Sequence, residues 1–481
     1  MTLARPMCML VNQSIIEGIF PSALKLAYIT PIHKSGCKMD FKNYRPVSIL
    51  PAISKIIEKA VTHQMTDYLE RNQLLSPSQY GFRKKYSTES ACVHLTEFLR
   101  CHIDRGGVVG AVFLDLRKAF DMVPHERLLI KLQTFNFDAK TIGWIRSYLG
   151  NRTQCVKINN AYSSFQNYPK GVPQGSTISP ILFTMFINDL PDVCPEVHTQ
   201  MYADDTAVFY YGEDPEEVAG VLSNAMKSIS LWLTENQLSL NVDKTVAIYF
   251  GKKELANPPP ILVEETPLNI VRSVKYLGVH FDSTLKFKSH IQNLAKAINI
   301  TLGTFNHIRN SFSLEAAVAF YHAMITSRFT YCITCWSQAP TTTLKLMESL
   351  HKRAAKILDK KPRTYHHCRA YSNHGLLNLG NQIKHSNLVL VHRILYDSAS
   401  PTLREYVQLI SNNAERFTRA CHNLDCKIPF RSSTFGQASL SVRGTATWNG
   451  LPKRLKSITS TKLFSQELKK FLLENQVCQC F

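Results

Sequence analysis

Apolar and polar positions follow several distinct patterns along this chain. Residues 108–116 form a nearly unbroken apolar run that contains Asp115 near its end, which predicts a strand covered on both faces in the middle of a sheet. Residues 201–210 are mostly apolar around an acidic pair, Asp204 and Asp205, and this pattern predicts a buried β-hairpin with both acids at its tip. Adjacent acids at a turn are also common as solvated turn formers, so the pair alone defines no site.

Shorter apolar segments on either side predict further strands. Residues 21–57 alternate apolar stretches with Pro, Gly and cations, which predicts two strands joined by a cationic loop. Residues 238–251 alternate apolar and polar positions, and residues 274–282 predict one more strand. With the helices between them, these strands predict an α+β fold, in which a small antiparallel sheet is backed by helices.

Helical spacing of apolar residues appears between these strands. It covers residues 88–99, 125–135 and 214–237. Arg83 and two lysines stand just before the first of these helices and predict a phosphate-binding cradle at its N-terminus. The alternative is an ordinary solvated face, which is the commoner explanation of such a cluster.

Residues 169–191 combine a glycine-containing loop with an apolar helix. Gly171 and Gly175 allow the backbone to pass close to a ligand. Ser179 and Pro180 predict the N-cap and the first turn of the helix, and Pro191 predicts its end. A loop of this kind can also serve only to connect two core elements, so it assigns no ligand by itself.

The chain changes character near residue 285 and becomes helical. Apolar residues recur at helical spacing over 291–308, 313–329 and 343–358. The last of these segments predicts an amphipathic helix with a cationic face that contacts a phosphate backbone. The cations on that face are Lys345, Lys352, Arg353 and Lys356.

Composition narrows the partners that this fold can have. The 481 residues include 56 Lys and Arg against 36 Asp and Glu, a net charge of +20 that suits nucleic acid or an anionic membrane. No apolar run reaches the roughly 18–20 residues that span a bilayer, so the membrane is the weaker interpretation. The 13 cysteines have no framework spacing, which predicts free thiols in a reducing compartment.

The three acids Asp115, Asp204 and Asp205 suit a divalent cation. Buried carboxylates without partners cost several kcal/mol, and oxygen ligands without nearby Cys or His favour Mg²⁺ or Mn²⁺ over zinc. Two ions about 3.5–4 Å apart can act on the attacking and leaving oxygens of a phosphoryl transfer. Together with a glycine-containing loop and upstream cations for a triphosphate, the acids predict nucleotidyl transfer.

Seven segments in order extend this prediction to a family. They are NYRPVSIL, QYGFRKKYST, FLDLRKAFDMVPH, GVPQGSTISPILFTMFINDLP, YADDTAVFY, LSLNVDKT and VKYLGVHFD. In this order they resemble non-LTR retrotransposon (LINE-type) reverse transcriptases, and the jockey-like branch is the most similar. The resemblance covers about residues 20 to 290, and TWNGLPKRLK resembles the C-terminal region of that branch.

The resemblance implies an RNA-directed DNA polymerase with a defined metal site. Asp115, Asp204 and Asp205 would bind two Mg²⁺ ions, with Mn²⁺ as a possible substitute and the Leu116 carbonyl as a further ligand. Phe120 corresponds to the bulky residue that clashes with a ribose 2′-hydroxyl and so favours dNTPs. A primer 3′-hydroxyl would attack the α-phosphorus, with catalysis coming mainly from positioning and charge neutralisation.

The resemblance also implies how the substrate is held. Gln174 and Gly175 would hold the templating region against the incoming nucleotide. Lys244 would act as an acid toward pyrophosphate. Arginine suits bidentate contact with phosphate. The cations implied to bind the triphosphate are Lys34, Arg45 and Arg83.

The implied architecture is a right-hand polymerase. We expect a residual N-terminal segment over 1–20, fingers and palm over 21–265, the last palm strand and a helical thumb over 266–330, and a basic, mostly α-helical module over 331–481. Family members usually carry an endonuclease before the polymerase and some carry ribonuclease H, but neither is evident here. We therefore expect a polymerase truncated at its N-terminus, with the endonuclease supplied by another protein or by a longer form.

The expected partners are an RNA template, a DNA primer or target and dNTPs, without a membrane. The expected location is a nuclear and cytoplasmic ribonucleoprotein, and the chain is not expected to be secreted. One alternative is a catalytically idle nucleic-acid-binding remnant, and another is a viral-type RNA-dependent RNA polymerase, against which Phe120 argues. Cys332 and Cys335 could bind zinc with residues 366–368 (His366, His367 and Cys368), or they could be buried reduced thiols.

Overall fold

The computed structural model describes residues 3–34, 36–396, 398–410 and 419–478. Its strands form two five-stranded sheets and two small two-stranded ones within these residues. The strands are β1 (Leu26–His33), β2 (Tyr44–Ile49), β3 (Val108–Leu114), β4 (Thr153–Ile158), β5 (Ala161–Tyr162), β6 (Gln166–Asn167), β7 (His198–Tyr202), β8 (Asp205–Gly212), β9 (Val246–Phe250), β10 (Leu262–Val263), β11 (Thr266–Pro267), β12 (Asn269–Ile270), β13 (Ser273–Tyr276) and β14 (Val279–Asp282).

Helices cover most of the remaining described residues. The first eight are α1 (Ala4–Glu17), α2 (Ala52–Arg71), α3 (Thr88–Asp104), α4 (Ala119–Met122), α5 (His125–Gln133), α6 (Ala139–Leu149), α7 (Ser179–Phe186) and α8 (Pro215–Glu235). The later ones are α9 (Lys288–Ile308), α10 (Leu314–Phe320), α11 (Ser327–Thr330), α12 (Ile333–Trp336), α13 (Thr341–Leu358), α14 (His367–Asn373), α15 (Leu379–Leu395), α16 (Arg419–His422), α17 (Thr434–Gln437), α18 (Leu440–Asn449), α19 (Lys453–Lys456) and α20 (Thr461–Glu474).

The central sheet has the order β12-β9-β3-β8-β7 and is antiparallel except for the β12–β9 pair. Its middle strand, β3, is buried along its whole length, as the apolar run predicted. Val109, Ala111 and Phe113 face one hydrophobic core, whereas Val112 and Leu114 face the other. Both faces are covered because successive strand residues point to opposite sides and β3 carries apolar residues at every position.

The two cores place the helices on opposite faces of this sheet. One core contains residues of α2, α5, α6, α7 and α8, and the other contains residues of α3, the long helix α9 and the C-terminal helices. The α+β class and the helix-backed antiparallel sheet are therefore confirmed. The predicted boundary at residue 331 stays a prediction, although the second core continues across it without a break.

The second five-stranded sheet contains β2-β1-β4-β5, with β6 also paired to β4. β1 and β2 are the two strands predicted within residues 21–57, and they pair antiparallel. β1 also pairs in parallel with β4, which brings residues 153–156 alongside the N-terminal strands. The loop after β6 passes next to β2, because the backbone N–H of Ser48 donates to the carbonyl of Gln174 at 2.7 Å.

Four local predictions were wrong. Residues 274–282 do not form one strand but most of the hairpin β13–β14, whose turn has positive φ at Leu277 and Gly278. α7 ends at Phe186 and not at Pro191, which lies in a separate 3₁₀ turn. Ser179 is the first helical residue and not the N-cap, and the hydroxyl of Ser176 accepts a hydrogen bond from its N–H at 3.0 Å. The strand predicted within 238–251 begins at Val246, since the preceding residues form a turn.

The C-terminal helices pack against one another and against α3. α9 packs on α13, and α15 packs on α18 and α20. α12 and α17 contact α3, so this helix joins the central sheet to the C-terminal residues. In the part of the chain that the structure describes, every helix is too short or too polar to cross a bilayer.

Candidate active site

Strand register brings the three predicted acids to one end of the central sheet. β3 and β8 pair Leu114 with Thr206, so Asp115, the next residue after β3, lies beside Asp205 at the start of β8. Asp204 lies in the two-residue turn that joins Tyr202 to Asp205. This turn needs a positive φ, which Ala203 adopts at 55°. The predicted hairpin with its acids at the tip is therefore confirmed.

The three carboxylates affect one another electrostatically. Loss of solvation, together with the charges of Asp204 and Asp115, raises the pKa of Asp205 to about 6. Asp205 as a whole residue keeps an exposed surface, although its carboxylate is partly desolvated. Loss of solvation and the charge of Asp115 also raise the pKa of Asp204. The pocket thus concentrates negative charge that a cation would stabilise.

Two cations of the second five-stranded sheet act on these carboxylates. The positive charge of Arg45 offsets part of the rise in the pKa of both Asp204 and Asp205, and the charge of Lys34 offsets part of the rise for Asp204. Arg45 lies on β2 and Lys34 directly follows β1, and both are exposed. Two predicted triphosphate-binding cations are therefore near enough to the acids to affect them electrostatically. Neither cation forms a close ion pair with the acids, so both are available to an anionic ligand.

Asn241 is a site residue that the sequence analysis missed. Its side-chain amide donates to Asp115 Oδ2 at 2.9 Å, and its backbone N–H donates to the Asp115 carbonyl at 2.8 Å. The side-chain hydrogen bond restricts the orientation of the Asp115 carboxylate. Sequence reasoning selected Lys244 from the same turn because of its charge, but Lys244 is exposed, and its role as an acid stays a prediction.

The loop between β6 and α7 contacts α4 and β2, and α7 itself contacts α4. The ring of Phe120 stacks on Phe183 with centroids 4.4 Å apart. The Gln174 side chain donates to Asp121 Oδ1 at 3.0 Å, which ties the loop to the short helix α4. Gly175 has φ of 113°, and an added Cβ would lie 2.7 Å from the Ser48 carbonyl oxygen. The glycine is therefore required for the close approach of this loop to β2.

Comparison with known proteins identifies the domain that carries this site. A model of the reverse transcriptase (RNA-dependent DNA polymerase) family matches residues 32–281, which is more than half of the chain. This chain belongs to the reverse transcriptase family. The match contains all three acids, both facing cations and Asn241.

The chain is also similar to curated retrotransposon proteins. It is 29% identical over 387 residues to the probable RNA-directed DNA polymerase from transposon BS of Drosophila melanogaster, a match that covers 78% of this chain and 42% of that protein. It is 27% identical over 368 residues to the RNA-directed DNA polymerase from mobile element jockey of the same organism, covering 74% and 40%. The resemblance to LINE-type reverse transcriptases is confirmed, and the chain spans about two fifths of the length of these relatives.

Solved structures give a more distant similarity. The chain is 14% identical to apo telomerase from Candida tropicalis, with a TM-score of 0.40 over 70% of this chain and 69% of that one. Telomerase from Candida albicans in complex with a fragment of telomeric RNA is 13% identical, with a TM-score of 0.40 over 77% and 65%.

The donor set of this reverse transcriptase domain fits divalent cations. Members of the family use divalent metal ions, and Asp115, Asp204 and Asp205 supply oxygen ligands only. Leu116 and Leu240 lie opposite each other in a short antiparallel β-bridge, whose backbone hydrogen bonds are made by the neighbouring residues. The Leu116 carbonyl therefore takes no part in this bridge.

The side chain of Arg83 forms an ion pair within the protein. Its guanidinium makes two hydrogen bonds of 2.9 Å to the Glu70 carboxylate and one of 2.7 Å to the Ser76 carbonyl, and the side chain is 7% exposed. Lys84 pairs with Asp67 at 2.6 Å. Acids of α2 therefore pair with two of the three cations predicted to form a phosphate cradle, and the phosphate-binding role of Arg83 stays a prediction. The helix N-terminus is instead capped by Ser87.

The predicted zinc ligands are separated in the structure. Cys332 and Cys335 are buried, and the Cys335 thiol lies 3.1 Å from the Thr96 hydroxyl, where burial raises its pKa. His366 and Cys368 lie instead beside Cys478, with ligand atoms within 4.8 Å of one another. Among the described residues, Cys332 and Cys335 therefore do not form a cluster of metal ligands with residues 366–368. All cysteines in the described part of the chain are free thiols, as predicted.

Proposed function

We propose that this chain is the RNA-directed DNA polymerase of a non-LTR retrotransposon. The observation that carries the proposal is the register that brings Asp115 beside Asp204 and Asp205, within a reverse transcriptase domain. The similarity to the polymerases of transposon BS and jockey supports RNA as the template and DNA as the product. The proposed reaction is attack of a primer 3′-hydroxyl on the α-phosphorus of a dNTP, with release of pyrophosphate.

Asp115, Asp204 and Asp205 are the proposed ligands of two Mg²⁺ ions, with the Leu116 carbonyl as a further ligand. Bound divalent ions would supply charge neutralisation at the phosphates and a lower pKa for the primer hydroxyl. Asn241 holds the Asp115 carboxylate in place through its amide, so that this ligand needs no reorientation when the substrate arrives. Mn²⁺ would also suit these oxygen ligands, so the test below compares the two ions.

The remaining residues would bind and select the nucleotide. Arg45 and Lys34 approach the pocket from the β1–β2 region and would hold the triphosphate. Phe120 is fixed by its stacking on Phe183 and would leave no room for a 2′-hydroxyl. Gln174 and Gly175 would support the templating base through the loop that lies against β2. Lys244 is proposed only as an acid toward pyrophosphate.

The wider biology is part of the proposal. The primer would be a DNA 3′ end at the target site, and the template would be the element RNA. An endonuclease from another protein, or from a longer form of this polypeptide, would supply the nick. The expected location is a ribonucleoprotein in the nucleus and the cytoplasm.

The test is incorporation of dNTPs by the purified chain on an RNA template annealed to a DNA primer. We expect Mg²⁺-dependent extension that Asp204→Asn abolishes and that Glu213→Gln, an exposed acid at the far end of β8, leaves unchanged. A parallel series with Mn²⁺ and with NTPs tests the metal and the sugar. Template binding without any incorporation would overturn the proposal in favour of a catalytically idle nucleic-acid-binding remnant.

A further inference from the structure

A large basic groove lies outside the reverse transcriptase match, among the C-terminal helices. It has a volume of about 860 Å³ and is formed by the end of α9, one face of α13 and the loop that follows α13. Its cationic lining residues are Arg309, Lys345, Lys352, Arg353, Lys356, Lys361 and Arg363. Glu348 is the one acid among the described lining residues, so the groove carries a net formal charge of +6.

The hydrogen bonds within the groove leave most of this charge uncompensated. Lys352 pairs with Glu348 at 2.6 Å, one helical turn away. Arg353 instead donates to the side-chain oxygen of Asn299 in α9 at 3.0 Å, and Lys356 donates to the backbone carbonyl of Arg363 at 2.6 Å. Neutral oxygens therefore position these two cations without neutralising them, which preserves a binding surface for an anion.

The helix pattern explains why the cations share one face. Met347, Ala354 and Leu358 on α13 are buried in the C-terminal core. Lys345, Lys352 and Lys356 recur at intervals of seven and four residues, which places them on the opposite side of the helix. The amphipathic helix predicted from the sequence is thus confirmed, and its cationic side forms the floor of the groove.

The groove is separate from the carboxylate pocket. α9 begins at Lys288, shortly after β14, and its far end at Ile308 adjoins the groove. A rise of 1.5 Å per residue makes this helix about 30 Å long. The lining residues begin at Asn306, well beyond the family match that ends at residue 281.

We infer that this groove is a second nucleic-acid site, which binds the phosphate backbone of the RNA template or of the target DNA. The chemistry fits because arginine and lysine side chains converge on a concave surface that a strand can enter, whereas a flat membrane surface could not reach its floor. The inference rests on the proposed function in one respect, the choice of nucleic acid as the polyanion that binds. The site would anchor nucleic acid through residues that lie outside the family match.

The test compares two triple variants in an Asp204→Asn background, without dNTPs, so that binding is measured independently of synthesis. The groove variant is Lys345→Gln, Lys361→Gln and Arg363→Gln, and all three side chains are exposed. The matched control removes the same charge from α19 and α20 with Arg454→Gln, Lys462→Gln and Lys469→Gln, which are also exposed. Fluorescence anisotropy with single-stranded RNA, an RNA hairpin and duplex DNA is recorded over a salt series.

We expect the groove variant to bind at least about tenfold more weakly near 0.1 M salt. The slope of log K against log salt should decrease by about 0.9 for each lost contact with duplex DNA and by about 0.7 with a single strand. The ligand with the larger change identifies which nucleic acid occupies the groove. If the triple variant does not unfold cooperatively, the three single variants provide the same measurement with smaller steps.

Three results would overturn the inference. They are an unchanged slope and affinity, an equal loss in the control variant, and a loss of binding to anionic lipid vesicles while nucleic-acid binding is unchanged. Failure of dNTP incorporation by the parent chain would instead count against the proposed polymerase and would leave the binding comparison valid.

Discussion

The carboxylate of Glu97, buried in α3, accepts a hydrogen bond from the backbone N–H of Leu440, the first residue of α18. Its other oxygen accepts from the N–H of Ser441 at 3.1 Å. Two turns later in α3, Asp104 accepts from the N–H groups of Ser432 and Ser433. One helix therefore caps two C-terminal segments, and this explains how the central sheet and the C-terminal helices share a core.

Replacement of Glu97 by Gln tests this connection. The amide nitrogen of Gln would face a backbone N–H of α18, so one buried donor would lose its partner. We expect the free energy of unfolding to fall by about 1–3 kcal/mol, measured by urea denaturation. Asp138→Asn, at an exposed helix N-terminus, is the matched control and should cost less than about 1 kcal/mol.

The same experiment reports on cooperativity. Because α3 contributes to the core on both sides of residue 331, we expect one unfolding transition, with fluorescence and circular dichroism midpoints that shift together. Two separated transitions, of which only one moves in the variant, would show that the C-terminal helices form an independent unit.

The contrast between Asp115 and Arg83 shows what the sequence could predict. Strand periodicity and the apolar run of β3 predicted the position of Asp115, since a buried strand in a sheet fixes where its last residue emerges. The charge of Arg83 was equally visible, but its partner Glu70 lies on another helix, and no local pattern reports which acid a cation will meet. Side-chain partners distant in sequence, such as Glu97 with Leu440, were unpredictable for the same reason.

Asn241 shows a second limit. Its neighbour Lys244 attracted attention because charged groups suggest chemistry, whereas an amide in a turn is usually a turn former. Only the fold places this amide against Asp115. The sequence therefore identified the acids of the candidate site and missed the residue that orients one of them.

Asn241→Ala should lower the rate of dNTP incorporation by about 10–100-fold, the range typical of residues that orient a metal ligand. The Mg²⁺ concentration for half-maximal rate should rise, while the KM for dNTP changes little, because the triphosphate-binding cations remain. Asp243→Asn, exposed on the same turn, is the control. An unchanged Mg²⁺ dependence would show that Asn241 has only a structural role.

Gly175→Ala should separate the loop from β2. The added Cβ would lie 2.7 Å from the Ser48 carbonyl oxygen, and φ of 113° is unfavourable for alanine. We expect a loss of about 1–3 kcal/mol in unfolding free energy and weaker dNTP incorporation. Gly303→Ala in α9, where a Cβ meets open space, should instead stabilise the protein by up to about 1 kcal/mol. Equal effects of the two substitutions would contradict the argument.

Phe120→Val should weaken discrimination against ribonucleotides. The ring is held by Phe183, so it cannot move aside for a 2′-hydroxyl, whereas the shorter side chain leaves space. We expect the ratio of dNTP to NTP incorporation to fall by about tenfold, mainly through a lower KM for NTP. Incorporation of dNTP serves as the internal control. A constant ratio would assign sugar selection to another residue.

Asp205→Asn should change how stability depends on pH in the absence of divalent cations. The pKa of Asp205 is about 6 in the folded chain and 3.8 as the ordinary value, so the folded state binds more protons between these pH values. Stability therefore falls as pH rises from about 4 through 6. Above pH 7 the variant should be more stable than the parent by about 1 kcal/mol, after allowance for solvent screening of an exposed carboxylate, and near pH 4 the two should agree. Urea midpoints at both pH values measure this difference. Glu265→Gln, at an exposed position, is the control. If the stability of the parent did not decline over this pH range, the three carboxylates would not repel one another in the folded chain.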